Sequence, residues 1–109
     1  MIKVTIYKNH EKVYIGFDCI GHAGYANSGQ DIICAGVSVL VINTINSIEN
    51  LTKNLAIADS VEKTGMIQFR FQNTCDNSGK LLIDAMILGL EGIQQNYGNS
   101  YLCLNIKEV

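Results

Sequence analysis

The stretch "VSVLVINTI" (residues 37–45) decides the fold, because it reads equally as a strand or as part of a helix. Its β-branched residues favour a strand; its surroundings favour a helix. From Asp31 to Leu51 the apolar residues Ile33, Val37, Leu40, Val41, Ile48 and Leu51 keep helical spacing, and Ile42 and Ile45 widen the stripe. No pair of turn residues interrupts this run, and strands rarely continue so far. The spacing therefore predicts a largely buried helix with Asp31 as its N-cap.

Working outward, Ile2, Val4 and Ile6 alternate with Lys3, Thr5 and Tyr7, the period of a half-buried strand. "KNHEK" makes a polar turn, and Val13, Ile15, Phe17 and Cys19 alternate again, which predicts a hairpin. Beyond the helix, residues 56–62 and 66–72 predict a second hairpin around "KTG", with Ile67, Phe69 and Phe71 on one side. Ser78 is read as the cap of a second helix that runs through Met86 and Ile93 to Tyr97, where Gly98 stops it. Gly89 and Gly92 within it suit close packing, and residues 101–106 read as a closing strand. The order ββαββαβ predicts an α+β fold, a mainly antiparallel sheet with two helices packed on one face. The length fits a single domain over residues 1–109.

Ten Asp and Glu stand against eight Lys and Arg, and no basic run appears, which disfavours direct binding of nucleic acid. "MIKVTIYK" lacks the unbroken apolar centre of a signal peptide. The longest fully apolar run, Val39 to Ile42, is far too short to span a membrane. These features predict a cytoplasmic protein with no membrane partner. Cys19, Cys34, Cys75 and Cys103 are scattered without a C-x-x-C pair, so free thiols are expected.

One constellation carries chemistry. His22 leaves the second predicted strand, and Cys34 follows after "AGYANSGQDII". With Asp31 as cap, Cys34 occupies the third helical position, where unpaired N–H groups and the helix dipole favour a thiolate. An imidazole nearby can take the thiol proton. Asp31 opposes this electrostatically unless its carboxylate is occupied in capping or in orienting His22. Gly24 and Gly29 give the loop unusual backbone angles, and its small residues predict a segment, Ala23 to Gln30, that orders around an extended peptide. Ser38 lies one turn beyond Cys34 on the same helix face. Backbone N–H groups at the helix mouth, Cys34's included, are the expected oxyanion donors.

Blander readings cover the other residues. His10 belongs to a polar turn, Cys19 to the core, Cys103 to strand packing, and Cys75 to a loop without an assigned role. The Gly-rich loop lacks G-K-[ST], so it is no P-loop. Cys19, His22 and Cys34 lack the close ligand pairs of structural zinc, so no metal is expected. A cysteine at the start of an apolar helix is, by itself, usually a small buried hydrophobe.

"GHA", a Gly-containing loop and "GQDIICAGVS" together resemble the ribosomal-processing cysteine protease family, Prp. Its pattern is roughly G-H-A, a short variable loop, then G-x-D-I-V-C-A-A-V-S. The chain keeps Gly21, His22, Ala23, Gly29, Asp31, Ile32, Cys34, Ala35, Val37 and Ser38. It has Ile33 in place of valine and Gly36 in place of alanine. The resemblance implies a homodimeric, cofactor-free protease with His22 as base and Cys34 as nucleophile, in which Asp31 and Ser38 match motif positions. It further implies Gly21, Ala23, Gly24 and Gly29 around the substrate. The implied substrate is a large-subunit ribosomal protein, the one beside the peptidyl-transferase centre, whose short N-terminal extension is removed. The competing reading is a non-catalytic homodimeric module that binds ribosomal protein through the same loop. A thiol redox protein is a third, weakened by the lack of a resolving cysteine close in sequence.

Overall fold

A computed structural model describes residues 1–27 and 31–109. Strand β1 (Ile2–Lys8) turns into β2 (Tyr14–Ile20), and helix α1 (Ile32–Leu51) follows the loop. Strands β3 (Ala56–Val61) and β4 (Met66–Phe71) are joined through a short 3₁₀ turn, Glu62–Thr64. Helix α2 (Asn77–Tyr97) and strand β5 (Leu102–Glu108) complete the order ββαββαβ. The described residues form a five-stranded sheet in the order β3-β4-β2-β1-β5. Among the described residues only β1 and β5 pair in parallel; the other neighbours are antiparallel.

Alternation explains which face is covered. Val4, Ile6, Phe17 and Phe69 are completely buried and share one core with Val37 and Val41 of α1 and Leu90 of α2. Phe17 stacks on Phe69 with ring centroids 5.0 Å apart, so truncating either ring would cost about 3–5 kcal/mol. The opposite face is polar. There Arg70 bridges to Asp18 at 2.8 Å and lies over the Tyr7 ring, while the Tyr7 hydroxyl donates to Asp18 at 2.9 Å.

"VSVLVINTI" is helical, but the apolar stripe is narrower than the spacing predicts. Val37, Val41, Thr44, Ile45 and Ile48 are buried, whereas Val39, Ile42 and Leu51 are exposed. Helix α1 is long and apolar enough to cross a membrane by length and composition, which the short run Val39–Ile42 does not reveal. In this fold its inner face fills the core.

Two local expectations are corrected. The alternation from Val13 to Cys19 breaks at a bulge: Tyr7 pairs with Gly16 but Lys8 with Tyr14, which leaves Ile15 unopposed. Tyr14 therefore turns inward in place of Val13, and its hydroxyl donates to Asp84. The cap of α2 is Asp76, not Ser78. The Asp76 carboxylate accepts the Gly79 N–H at 2.9 Å and the Ser78 hydroxyl at 2.6 Å, so Ser78 supports the cap from inside the first turn. Gly98 ends α2 as predicted, with φ +89° and its N–H donated to Gln94. Gly89 admits close helix packing, since a Cβ there would stand 2.8 Å from Leu40; Gly92 faces open space.

Candidate active site

The site lies where β2 ends and α1 begins. At Gly21 the chain leaves the strand with φ +100°, and a Cβ there would stand 2.6 Å from the Met1 carbonyl oxygen. Glycine is thus required twice over, by backbone angle and by contact. His22 follows with its side chain exposed. Ala23 is buried, and its N–H donates to the Cys34 sulfur at 3.1 Å. Gly24 adopts φ +71°, as the loop reading requires.

Asp31 ties the loop to the helix. One carboxylate oxygen accepts the N–H groups of Ile33 at 3.1 Å and Cys34 at 3.0 Å, so Asp31 is the predicted cap. The other oxygen accepts the Tyr25 N–H at 3.1 Å. The bonds from Cys34 first and then Tyr25 hold the Asp31 carboxyl below the usual carboxylate range. The Tyr25 ring packs edge-on against Tyr97 and Tyr101, with centroids 5.7 and 5.2 Å away. The described part of the loop therefore has more apolar contact than its small residues suggest. Gly29 and Gln30, the end of the predicted substrate loop, lie outside the described residues.

His22, Gly24, Asp31, Cys34 and Ser38 converge on one cleft of about 490 Å³. A smaller cavity of about 80 Å³ that shares His22, Cys34 and Ser38 with it is also lined by Cys19 and Gly65. Cys34 is half-buried at the third helical position, and Ser38 lies exposed one turn on. Among the described residues no cluster of three His, Cys, Asp or Glu side chains could hold a metal ion.

The electrostatics depart from expectation. Burial raises the Cys34 thiol above its ordinary value; the Ala23 N–H opposes this, and Asp31 adds to it through a hydrogen bond and its charge. The dipole does not prevail against burial, and the cap that forms the helix adds a carboxylate beside the sulfur. The expected oxyanion donor is likewise occupied, since the Cys34 N–H is donated to Asp31. The Ala23 N–H, aimed at the sulfur from the loop side, is the backbone donor that the sequence reading missed. Burial pushes Cys19 and Cys75 up to about 11, so neither is a ready nucleophile. His10 is a solvated turn residue with 81% of its side chain exposed. Gly65 and Tyr101 were also missed; "KTG" carries only a turn signal, and nothing local brings it to His22.

The family described as "Cysteine protease Prp" matches residues 1–102. The ribosomal processing cysteine protease Prp of Bacillus subtilis is 36% identical over 101 residues, covering 89% of this chain and 90% of its own. The protein of the same name from Staphylococcus aureus is 30% identical over 98% of this chain and its entire length. The crystal structure of S. aureus Prp with a covalently linked product peptide superposes with a TM-score of 0.91, covering 98% of this chain and 100% of that one. A further S. aureus Prp structure, holding a substrate peptide, gives 0.86 at 29% identity and the same coverage. With this fold, a thiol at a helix mouth and an imidazole on the same cleft, the chain belongs to the Prp family of cysteine proteases.

Proposed function

We propose that this chain, acting as one domain over residues 1–109, is a ribosomal-processing endopeptidase with a Cys34–His22 dyad. Its substrate is the large-subunit ribosomal protein beside the peptidyl-transferase centre, from which it removes a short N-terminal extension in the cytoplasm. The observation that carries the reading is the convergence of His22 and Cys34 on a single cleft. The S. aureus relative crystallised with a covalently linked product peptide supports a covalent route.

His22 takes the thiol proton as Cys34 attacks the scissile carbonyl, then returns it to the leaving amine. Water hydrolyses the acyl-enzyme. The Ala23 N–H steadies the developing thiolate, and Asp31 keeps the helix mouth and Tyr25 in register. Burial holds the thiol of the free protein above its ordinary value, so a base must take its proton. No cofactor enters these steps. The exposed Val39 and Ile42 on the outer face of α1 suit burial against a second copy of the chain, in line with a homodimer.

The exposed apolar residues on the outer face of α1 suit a second reading, a non-catalytic homodimeric module that binds ribosomal protein through the same loop. One experiment separates them: incubation with the ribosomal protein from the same cell, followed by intact-mass measurement. A truncated product, absent with Cys34→Ala, supports the protease; an unaltered mass in a stable complex supports the module.

A further inference from the structure

We propose that Gly65, in the connection between β3 and β4, is a positioning residue that seats the imidazole of His22. The proposal rests on the assignment of His22 as the base. His22 stands on an exposed exit from β2, so the core does not fix its side chain. The ring lies close to this connection, on the cavity that Gly65 also lines. A Cβ on Gly65 would stand 3.2 Å from His22 Cε1, 3.5 Å from its Nε2 and 2.9 Å from the Gly21 carbonyl oxygen. The first and last distances are shorter than ordinary van der Waals contact. Gly65 also adopts φ +66°, a conformation that glycine takes without strain.

The surrounding chain decides which group would yield. Val61 pairs with Met66 and Ile67 with Cys19, so the connection is anchored in the sheet on both sides. The Thr64 hydroxyl closes the turn onto the Val61 carbonyl at 3.3 Å. The Gly21 carbonyl, at 2.9 Å, would be the tightest contact, and because Gly21 directly precedes His22, a shift there carries His22 with it. The exposed imidazole can also swing, and it would swing away from its seat. Gly65, His22 and Cys34 all border the cavity of about 80 Å³, so a displaced ring changes its approach to the sulfur.

The test compares Gly65→Ala, which adds the methyl group, with Gly65→Asn, which adds a Cβ while tolerating positive φ. Gly92→Ala serves as control, because a Cβ there meets nothing within 4 Å. The substrate is a peptide spanning the N-terminal extension of the ribosomal protein. Both Gly65 variants are expected to keep a native near-ultraviolet spectrum and to lose about ten- to a hundredfold in kcat. KM should stay within about twofold of the wild type, and the His22 Cε1–H resonance should move; the control should match the wild type.

Wild-type kcat with an unmoved His22 resonance would overturn the proposal. So would a loss confined to KM, which assigns Gly65 to substrate contact, or unfolding of both variants, which makes it a requirement of the fold alone. His22→Ala is measured alongside. If that variant cleaves normally, the dyad itself is wrong; if it is inactive while the Gly65 variants are not, only the seat is wrong.

Discussion

The two helix mouths of this molecule are built alike and differ in what surrounds their cysteines. Each helix is capped by an aspartate that also fastens a loop: Asp31 accepts the Tyr25 N–H, and Asp76 accepts an Asn54 side-chain N–H at 2.8 Å. Each has a cysteine at hand, Cys34 three residues after its cap and Cys75 immediately before. At α2, burial is joined by the charges of Asp76 and Asp84, and the Cys75 thiol rises to about 11. No imidazole lines the cleft beside it, where Glu11, Lys12 and Lys80 stand. At α1, burial is opposed by the Ala23 N–H, and His22 shares the cleft. A helix N-terminus alone leaves both thiols above their ordinary value, burial first and the nearby carboxylates adding to it. The proposed nucleophile at Cys34 therefore depends on the Ala23 N–H and on His22.

The comparison breaks most sharply under alanine substitution. Cys34→Ala is expected to lower peptide cleavage by about 10,000-fold or more, while Cys75→Ala stays within about twofold. Assays with the extension peptide and urea titrations of both variants check this. Equal losses at the two mouths would remove the distinction. Next in size, His22→Ala should reduce kcat by about 100- to 10,000-fold. It should also slow iodoacetamide labelling of Cys34 at neutral pH and leave that of Cys75 unchanged. An unaltered Cys34 profile would mean that His22 acts on the thiol only once substrate is bound.

Much of this was readable from residue order, for identifiable reasons. The alternation in β1 and β4, the helical run from Ile33 to Ile48 and the Asp31 cap are local signals, and local signals survive folding. The bulge at Ile15 was not legible, because it depends on how β2 meets β1. Ser78 was mistaken for a cap because serine and aspartate are similarly suited to it, and only the fold shows which one faces the Gly79 N–H. His22 and Cys34 were visible as a spaced pair within one motif. Their surroundings were not, since Gly65 comes to His22 and Tyr101 to Tyr25 from distant elements. The thiol's raised pKa belongs to burial, which spacing does not report.

A smaller effect sharpens the electrostatic half of the comparison. Asp31 raises the Cys34 thiol both as hydrogen-bond acceptor and as a negative charge. Asp31→Asn keeps a capping oxygen and removes the charge, so the thiol should titrate lower and label faster with iodoacetamide at mildly alkaline pH. Cleavage need not rise in step, because the same substitution weakens the hold on Tyr25. Unchanged labelling would mean that burial alone sets the thiol, with Asp31 confined to the fold.

The smallest expected effect lies at the other mouth and concerns acid stability. The Ser78 hydroxyl, the Gly79 N–H and the Asn54 amide, in that order, hold Asp76 down to about 2. A carboxylate depressed on folding stabilises the native state fully above its ordinary value of 3.8, and that contribution is lost as pH falls through about 2. Asp76→Asn removes the titration while leaving an oxygen for the cap. The difference between wild-type and variant urea midpoints should therefore shrink as the buffer is lowered from about pH 5 to about pH 2.5. Asp31 is also depressed and still titrates in the variant, so the difference between the two proteins is the quantity to measure. Throughout, Cys34 labelling at neutral pH should be the same in both proteins. A labelling change would show that the two mouths are coupled through the core, contrary to their treatment as independent sites.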